Sequence, residues 1–183
     1  MLFSGCGGLC DDGVMDDDQA VEVSGDDRIN AFWEVAHRYA DVGDLDVVMG
    51  RQWGEAMPPP SWGFGDSAEM ADRLLELVLT GRKTATSGLF QEYAAADEPM
   101  PKVGDLSIIV DGSGRPRALV RDVEVKRVRF GDVTSAQAAA EGEGDGTLES
   151  WREGHLQFWQ REGYEVSDDT VVVWERFKVL YSV

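Results

Sequence analysis

The sequence predicts an α+β domain built around a small, mostly antiparallel β-sheet or barrel with helices flanking it. Three observations carry that expectation. Helical and strand patterns follow one another irregularly, without the repeated βα alternation of a doubly wound fold. A hairpin signal, Asp111-Gly112-Ser113-Gly114, separates two apolar β runs. No glycine-rich phosphate loop is present.

The elements follow in order. Ile29, Phe32, Trp33, Ala36 and Tyr39 recur at helical spacing, which predicts a first helix over residues 28–39 capped by Asp26 or Asp27. Met57-Pro58-Pro59-Pro60-Ser61-Trp62-Gly63 reads as an extended connector, because three prolines remove donors and bar a helix. Ala68, Ala71, Leu74, Leu75, Val78 and Leu79 form the stripe of a second helix. Asp66 or Ser67 caps it, Glu69 completes a capping box, and Gly81 ends it. Residues 106–110 read as a buried strand and residues 117–128 as its return, with Leu119, Arg121, Val123 and Val125 on one face. Residues 134–140 form a short helix capped by Thr134 and Gln137, and residues 147–160 a longer one. The β-branched and aromatic run over residues 170–181 is a long final strand.

Charge divides the chain. There are 35 acids against 17 Lys and Arg, a net of −18. Eight of the acids, and no base, fall in residues 1–27, which read as a disordered acidic tail. Residues 28–63 are expected to pack on the domain formed by residues 64–183. A non-specific binder of duplex DNA needs a basic face, so that role is excluded. No apolar run is long enough to span a bilayer. Without a basic start and an apolar leader the protein is expected to be cytoplasmic. Cys6 and Cys10 lie in the tail, and with only His37 and His155 elsewhere they read as incidental thiols and not as a zinc site.

Three constellations could carry chemistry. In Gly81-Arg82-Lys83-Thr84-Ala85-Thr86 a lysine three residues from a threonine can serve as its base if burial lowers the lysine pKa. Residues three apart on an ideal strand face opposite sides, so the pair meets only where the segment bends. The alternative is a solvated Lys beside β-favouring threonines. In Glu141-Gly142-Glu143-Gly144-Asp145-Gly146, carboxylates alternate with glycines that let backbone approach a ligand. Such a loop can orient a ribose, move a proton or hold a hard cation; it can also be a polar linker in which Asp145 caps the next helix. Arg152 and His155 share a helical face with Trp151, Phe158 and Trp159 and could grip a base or a phosphate. Core packing with a satisfied polar edge is the alternative.

These pieces, in this order, resemble the ASCH superfamily of PUA-like domains. The matching text runs from Phe64-Gly65-Asp66-Ser67 through Leu77-Val78-Leu79-Thr80-Gly81-Arg82-Lys83-Thr84-Ala85-Thr86, then Val103-Gly104-Asp105, Asp111-Gly112 and Pro116. It continues with Glu141-Gly142-Glu143-Gly144-Asp145, Trp151-Arg152, His155 and Glu175-Arg176-Phe177. The nearest branch is the bacterial stand-alone ASCH proteins with an added N-terminal helix.

The resemblance implies a PUA-like β-barrel with a cleft lined by the Lys83 segment and the Glu141 loop. It implies a modified nucleoside, a small nucleotide or single-stranded RNA as partner. One branch that shares the core pattern hydrolyses the acetyl amide of N4-acetylcytidine. Its Lys, Thr and Glu match Lys83, Thr86 and Glu141, which are the expected catalytic residues. The expected ligand contacts are Asp66, Arg82, Asp111, Arg121, Glu143, Asp145, Trp151, Arg152 and His155. No resident cofactor is expected under that reading. Another member is similar to a metal-dependent ribonuclease, under which Mg²⁺ or Mn²⁺ would be required.

Overall fold

The computed structural model describes residues 24–39, 57–95 and 99–183. Expectations placed on residues 1–23, including Cys6 and Cys10, and on residues 40–56 lie outside the described residues.

Helix α1 spans Gly25–Ala36. It starts three residues earlier than its apolar pattern predicts, because Ser24 is the cap and accepts a hydrogen bond from the Asp27 amide. Asp26 and Asp27 sit instead in the first turn, where carboxylates favour the helix dipole. Phe32, Trp33 and Ala36 are buried against Ile108 and Leu119. The chain re-enters at the connector, where the Pro60 carbonyl accepts from Ile108 N. Strand β1 (Ser61–Trp62) then pairs parallel with β3 (Leu106–Val110).

Helix α2 spans Ala68–Leu79, with Ser67 as its cap. Glu69 is therefore one position too early for a capping box, and the Ser67 hydroxyl accepts from Met70 N. Beyond Thr80 the chain reverses at Gly81, whose φ of 75° suits glycine. Leu74, Leu75 and Val78 pack with Phe64, Ile109, Val120 and Phe177. Burial of each such side chain contributes roughly 1.5–3 kcal/mol.

Strand β2 spans Ala85–Leu89 and runs directly into helix α3 (Phe90–Ala95). Strands β4 (Pro116–Arg129) and β5 (Val171–Ser182) are the long antiparallel pair. The sheet order is β1-β3-β4-β5-β2, so β2 lies on one edge, bonded to β5. Register shifts at Leu119/Val120 and Asp122/Glu124 break the simple alternation expected along β4. After a 3₁₀ turn at Phe130–Asp132 come helix α4 (Ser135–Glu141) and helix α5 (Leu148–Arg161). Thr134 and Gln137 close the expected capping box on α4, and Thr147 caps α5. Trp151 and Trp159 of α5 are buried with Leu89, Phe130 and Val172. Helix α2 and the α4–α5 pair thus lie on either side of the residues leading into β2.

Candidate functional site

The site forms where two chain segments are stitched together. The Thr84 amide and hydroxyl both donate to the Ala140 carbonyl, at 2.8 and 3.1 Å. Arg82 Nη2 donates to the Gly142 carbonyl at 3.3 Å. Gly142 has φ 66°, and a Cβ there would strike the Arg82 carbonyl, so glycine is required for the close approach. This crossing sets Lys83 beside the last residue of α4, Glu141.

Lys83 is 1% exposed and Glu141 is fully buried. Lys83 Nζ lies 3.6 Å from Glu141 Oε2 and donates to Glu143 Oε1 at 2.5 Å. Its charge also stands over the Phe64 ring, 5.2 Å from the centroid. Glu141 Oε1 accepts from the Ser87 hydroxyl at 2.7 Å and from Trp151 Nε1 at 2.8 Å. Burial pushes the Glu141 carboxyl up. The Lys83 charge, then His155 and the Ser87 hydroxyl, outweigh it and hold the carboxyl down at about 2.

The other oxygen is different. Glu141 Oε2 is buried and has no aligned hydrogen-bond donor. His155 Nε2 stands 3.3 Å from it. His155 Nδ1 meets the Trp151 carbonyl at 3.0 Å, a contact that requires Nδ1 to be the donor. Nε2 is thus the ring nitrogen left to face the carboxylate, and the contact becomes attractive when Nε2 also carries a proton. The imidazole stacks on Trp151, with centroids 4.3 Å apart.

A cavity of about 560 Å³ opens over this set. One wall is α2, through Met70, Arg73, Leu74 and Leu77. Another is α5, through Trp151, Gly154, His155 and Phe158. Thr86, Ser87, Arg82 and the glycine loop with Glu143 complete it. The volume falls within the range of small-molecule sites. A model of the ASCH domain matches residues 60–181. The chain belongs to the ASCH domain family.

Solved structures agree with that assignment. Protein EF3133 of Enterococcus faecalis V583, assigned to the DUF984 family, is 32% identical over 83% of this chain and 87% of its own, with a TM-score of 0.68. An ASCH domain from Lactobacillus crispatus JV V101 is 29% identical over 80% of this chain and 94% of its own, with a TM-score of 0.65. No curated protein matches the sequence. The fold is accordingly α+β and PUA-like, with one five-stranded sheet flanked by helices. Among the described residues no helix is long and apolar enough to cross a membrane.

The ASCH fold brings together Lys83, Thr86, Glu141, Arg82, Glu143, Trp151 and His155, all in or under the cavity. Lys83 precedes the first residue of β2, so strict strand alternation does not govern its relation to Thr86. In β2, Thr86 pairs with Glu175 and Ser87 with Trp174. The hydroxyl that meets Glu141 is that of Ser87, which its sequence setting did not single out for any role.

Other expected contacts lie elsewhere. Arg152 donates to the Gly131 carbonyl at 2.6 Å and borders a second hollow with Phe130, Leu148 and Leu156. Asp111 accepts from Ser113 and Arg115 and holds the β3–β4 hairpin. Burial opposes its ionisation, yet these bonds bring its carboxyl down to about 2. Arg121 is in β4, paired across to Leu106 and Lys178. Asp145 accepts from the Thr147 amide and hydroxyl ahead of α5. Asp66 pairs with Arg161 at 3.0 Å, tying the start of α2 to the end of α5. Two cavity residues, Arg73 and Gly154, were not anticipated. Arg73 lies off the apolar stripe of α2, where helical spacing gives no signal to distinguish it from a solvated arginine.

Proposed function

We propose that this ASCH protein binds a small modified nucleoside in the Glu141 cavity and hydrolyses an amide on it. The observation that supports this reading is the buried Lys83–Glu141 ion pair, bonded to the cavity-lining residues Glu143, Ser87 and Trp151. Two charges withdrawn from water cost several kcal/mol each, and a fold rarely retains them without a chemical task. The cavity has the volume of a nucleoside-sized ligand, and Trp151 and Phe158 offer aromatic surface to a base.

In this mechanism Lys83 passes the proton it shares with Glu143 to that carboxylate and becomes a neutral amine. The amine takes the Thr86 hydroxyl proton as Thr86 Oγ1 bonds to the amide carbonyl carbon. The C–N bond then breaks, and the amine leaves with a proton supplied through Lys83. Water cleaves the Thr86 ester, restoring the hydroxyl and releasing the acid. Glu141 holds Lys83 in place, and Ser87 orients Glu141.

The test is liquid-chromatographic assay of purified protein on N4-acetylcytidine and other acylated nucleosides. Thr86→Ala should abolish turnover with the fold intact, and Lys83→Ala, which also strands the buried Glu141 charge, should abolish turnover in protein that circular dichroism shows to be folded. Full activity in Thr86→Ala with loss in Ser87→Ala would transfer the nucleophile to Ser87. Full activity in Lys83→Ala would remove the mechanism.

A divalent-cation site is the reading that Glu141, Glu143 and His155 raise, since their ligand-type atoms lie within 4.8 Å of one another. The residues do not fit it well: the Lys83 ammonium already stands between the two carboxylates and would repel a second cation. Activity that survives EDTA is therefore expected. Binding of single-stranded RNA in the same cleft is supported by the ASCH fold and opposed by the net charge of −18.

A further inference from the structure

Resting on that reading of the cavity, we infer that the preferred ligand is a nucleotide, with its phosphate monoester held at the cavity rim by Arg73 and Arg82. The argument begins with charge. The cavity lining and the buried pair behind it carry three cations, Arg73, Arg82 and Lys83, against two carboxylates, Glu141 and Glu143. The balance there is positive although the whole chain carries −18. The excess also has a direction. Both carboxylates are engaged with buried Lys83, which leaves the positive excess on the exposed Arg73 and Arg82.

The two guanidiniums differ in commitment. Arg82 uses Nη2 on the Gly142 carbonyl and retains its other donors. Arg73 has no hydrogen bond or ion pair among the described residues, and it is exposed. It stands between Met70, Leu74 and Leu77 on the cavity-facing side of α2. An exposed arginine at the edge of an apolar wall is well placed for a planar, bidentate contact with a phosphate. Aromatic lining from Phe158 together with the two guanidiniums matches a base attached to an anionic ester.

The experiment titrates the full chain, by tryptophan fluorescence and calorimetry, with N4-acetylcytidine and with its 5′-monophosphate. The monophosphate should bind at least about tenfold tighter at low salt, with the difference shrinking as salt rises. Arg73→Ala should bring the monophosphate down to the affinity of the nucleoside, and Arg73→Lys should restore part of the difference. Arg82→Ala should act in the same direction, with circular dichroism checking that the Gly142 loop is undisturbed. Equal affinity for the two ligands in the wild type would overturn this inference and leave the nucleoside reading standing. Binding of neither, with the protein folded, would overturn both.

Discussion

Replacing Lys83 by methionine removes one charge and little volume, and so isolates what the buried ion pair contributes. In the folded protein the Glu141 carboxyl lies at about 2 against an ordinary 4.5. A difference of that size corresponds to about 3 kcal/mol of stability. Because the folded value is the lower one, this contribution is fully present above pH 4.5 and is lost as pH falls toward 2. In Lys83→Met the largest force holding the carboxyl down is gone, while burial still pushes it up. The variant should therefore lose about 3–5 kcal/mol at neutral pH, the usual cost of stranding a buried charge. It should lose clearly less at pH 4, where Glu141 can take up a proton. Urea denaturation followed by tryptophan fluorescence measures both values, and Lys83→Met/Glu141→Gln should recover much of the loss. A cost below about 1 kcal/mol at pH 7, or one that does not change with pH, would refute the account of Glu141 as a charge held in place by Lys83.

Two further predictions concern other parts of the molecule. Asp122 is buried and Glu175 half-buried; burial and then the Asp105 charge raise Asp122 to about 6, while burial and then the Asp122 charge raise Glu175 to about 7, with Tyr93 donating to Glu175 at 2.9 Å. Raised carboxyls favour the folded state below their unfolded values and lose that contribution as pH climbs through 6 and 7, so Glu175→Gln should melt higher than wild type at pH 8 and flatten the decline between pH 5 and 8; an unchanged profile would contradict the pairing. In α5, a Cβ at Gly154 would meet nothing within 4 Å, so Gly154→Ala should gain about 0.5–1 kcal/mol of helix stability while its methyl enters the cavity and weakens nucleoside binding, and a variant that melts higher and binds as well as wild type would show that the glycine is not there for space.

Much of the architecture was legible because local chemistry and tertiary position agree. The apolar stripe of α2, the Asp-Gly-Ser-Gly hairpin and the Thr134/Gln137 capping box each form where their residues predict. Helix α3 was not anticipated, since six residues are too few for a helical period to declare itself. The start of α1 moved because Ser24 out-competes Asp26 and Asp27 for the cap, a choice that depends on backbone angles and not on composition. In the site, the motif pointed to Lys83, Glu141 and Glu143, but not to their partners. Ser87 and Trp151 reach Glu141 from β2 and α5, 54 and 10 residues away along the chain. Arg152 and His155 share a face of α5, yet three residues of separation leave them about 60° apart around the helix. That rotation is enough for His155 to line the cavity while Arg152 reaches the Gly131 carbonyl.

The strongest reason to regard the cavity as functional is that several departures from ordinary folding rules converge on it. A lysine and a glutamate are buried where apolar residues would be cheaper. A carboxylate oxygen, Glu141 Oε2, lies buried without an aligned donor. A glycine sits inside α5 at a cost in helix propensity, and Gly142 adopts φ 66° to let two backbones touch. Arg73, exposed and without a partner among the described residues, stands beside the apolar wall of α2. Each alone has a structural explanation. Gly142 serves the close approach, and Lys83 and Glu141 neutralise one another. No single structural need, however, accounts for a buried charge pair, a helix glycine and two exposed guanidiniums around one hollow. The proposed ligand would account for the glycine and the guanidiniums, because it would fill the space and bring the anion. The Asp122–Glu175–Tyr93 cluster provides the contrast: its groups bond to each other, and nothing is left over for a ligand to satisfy.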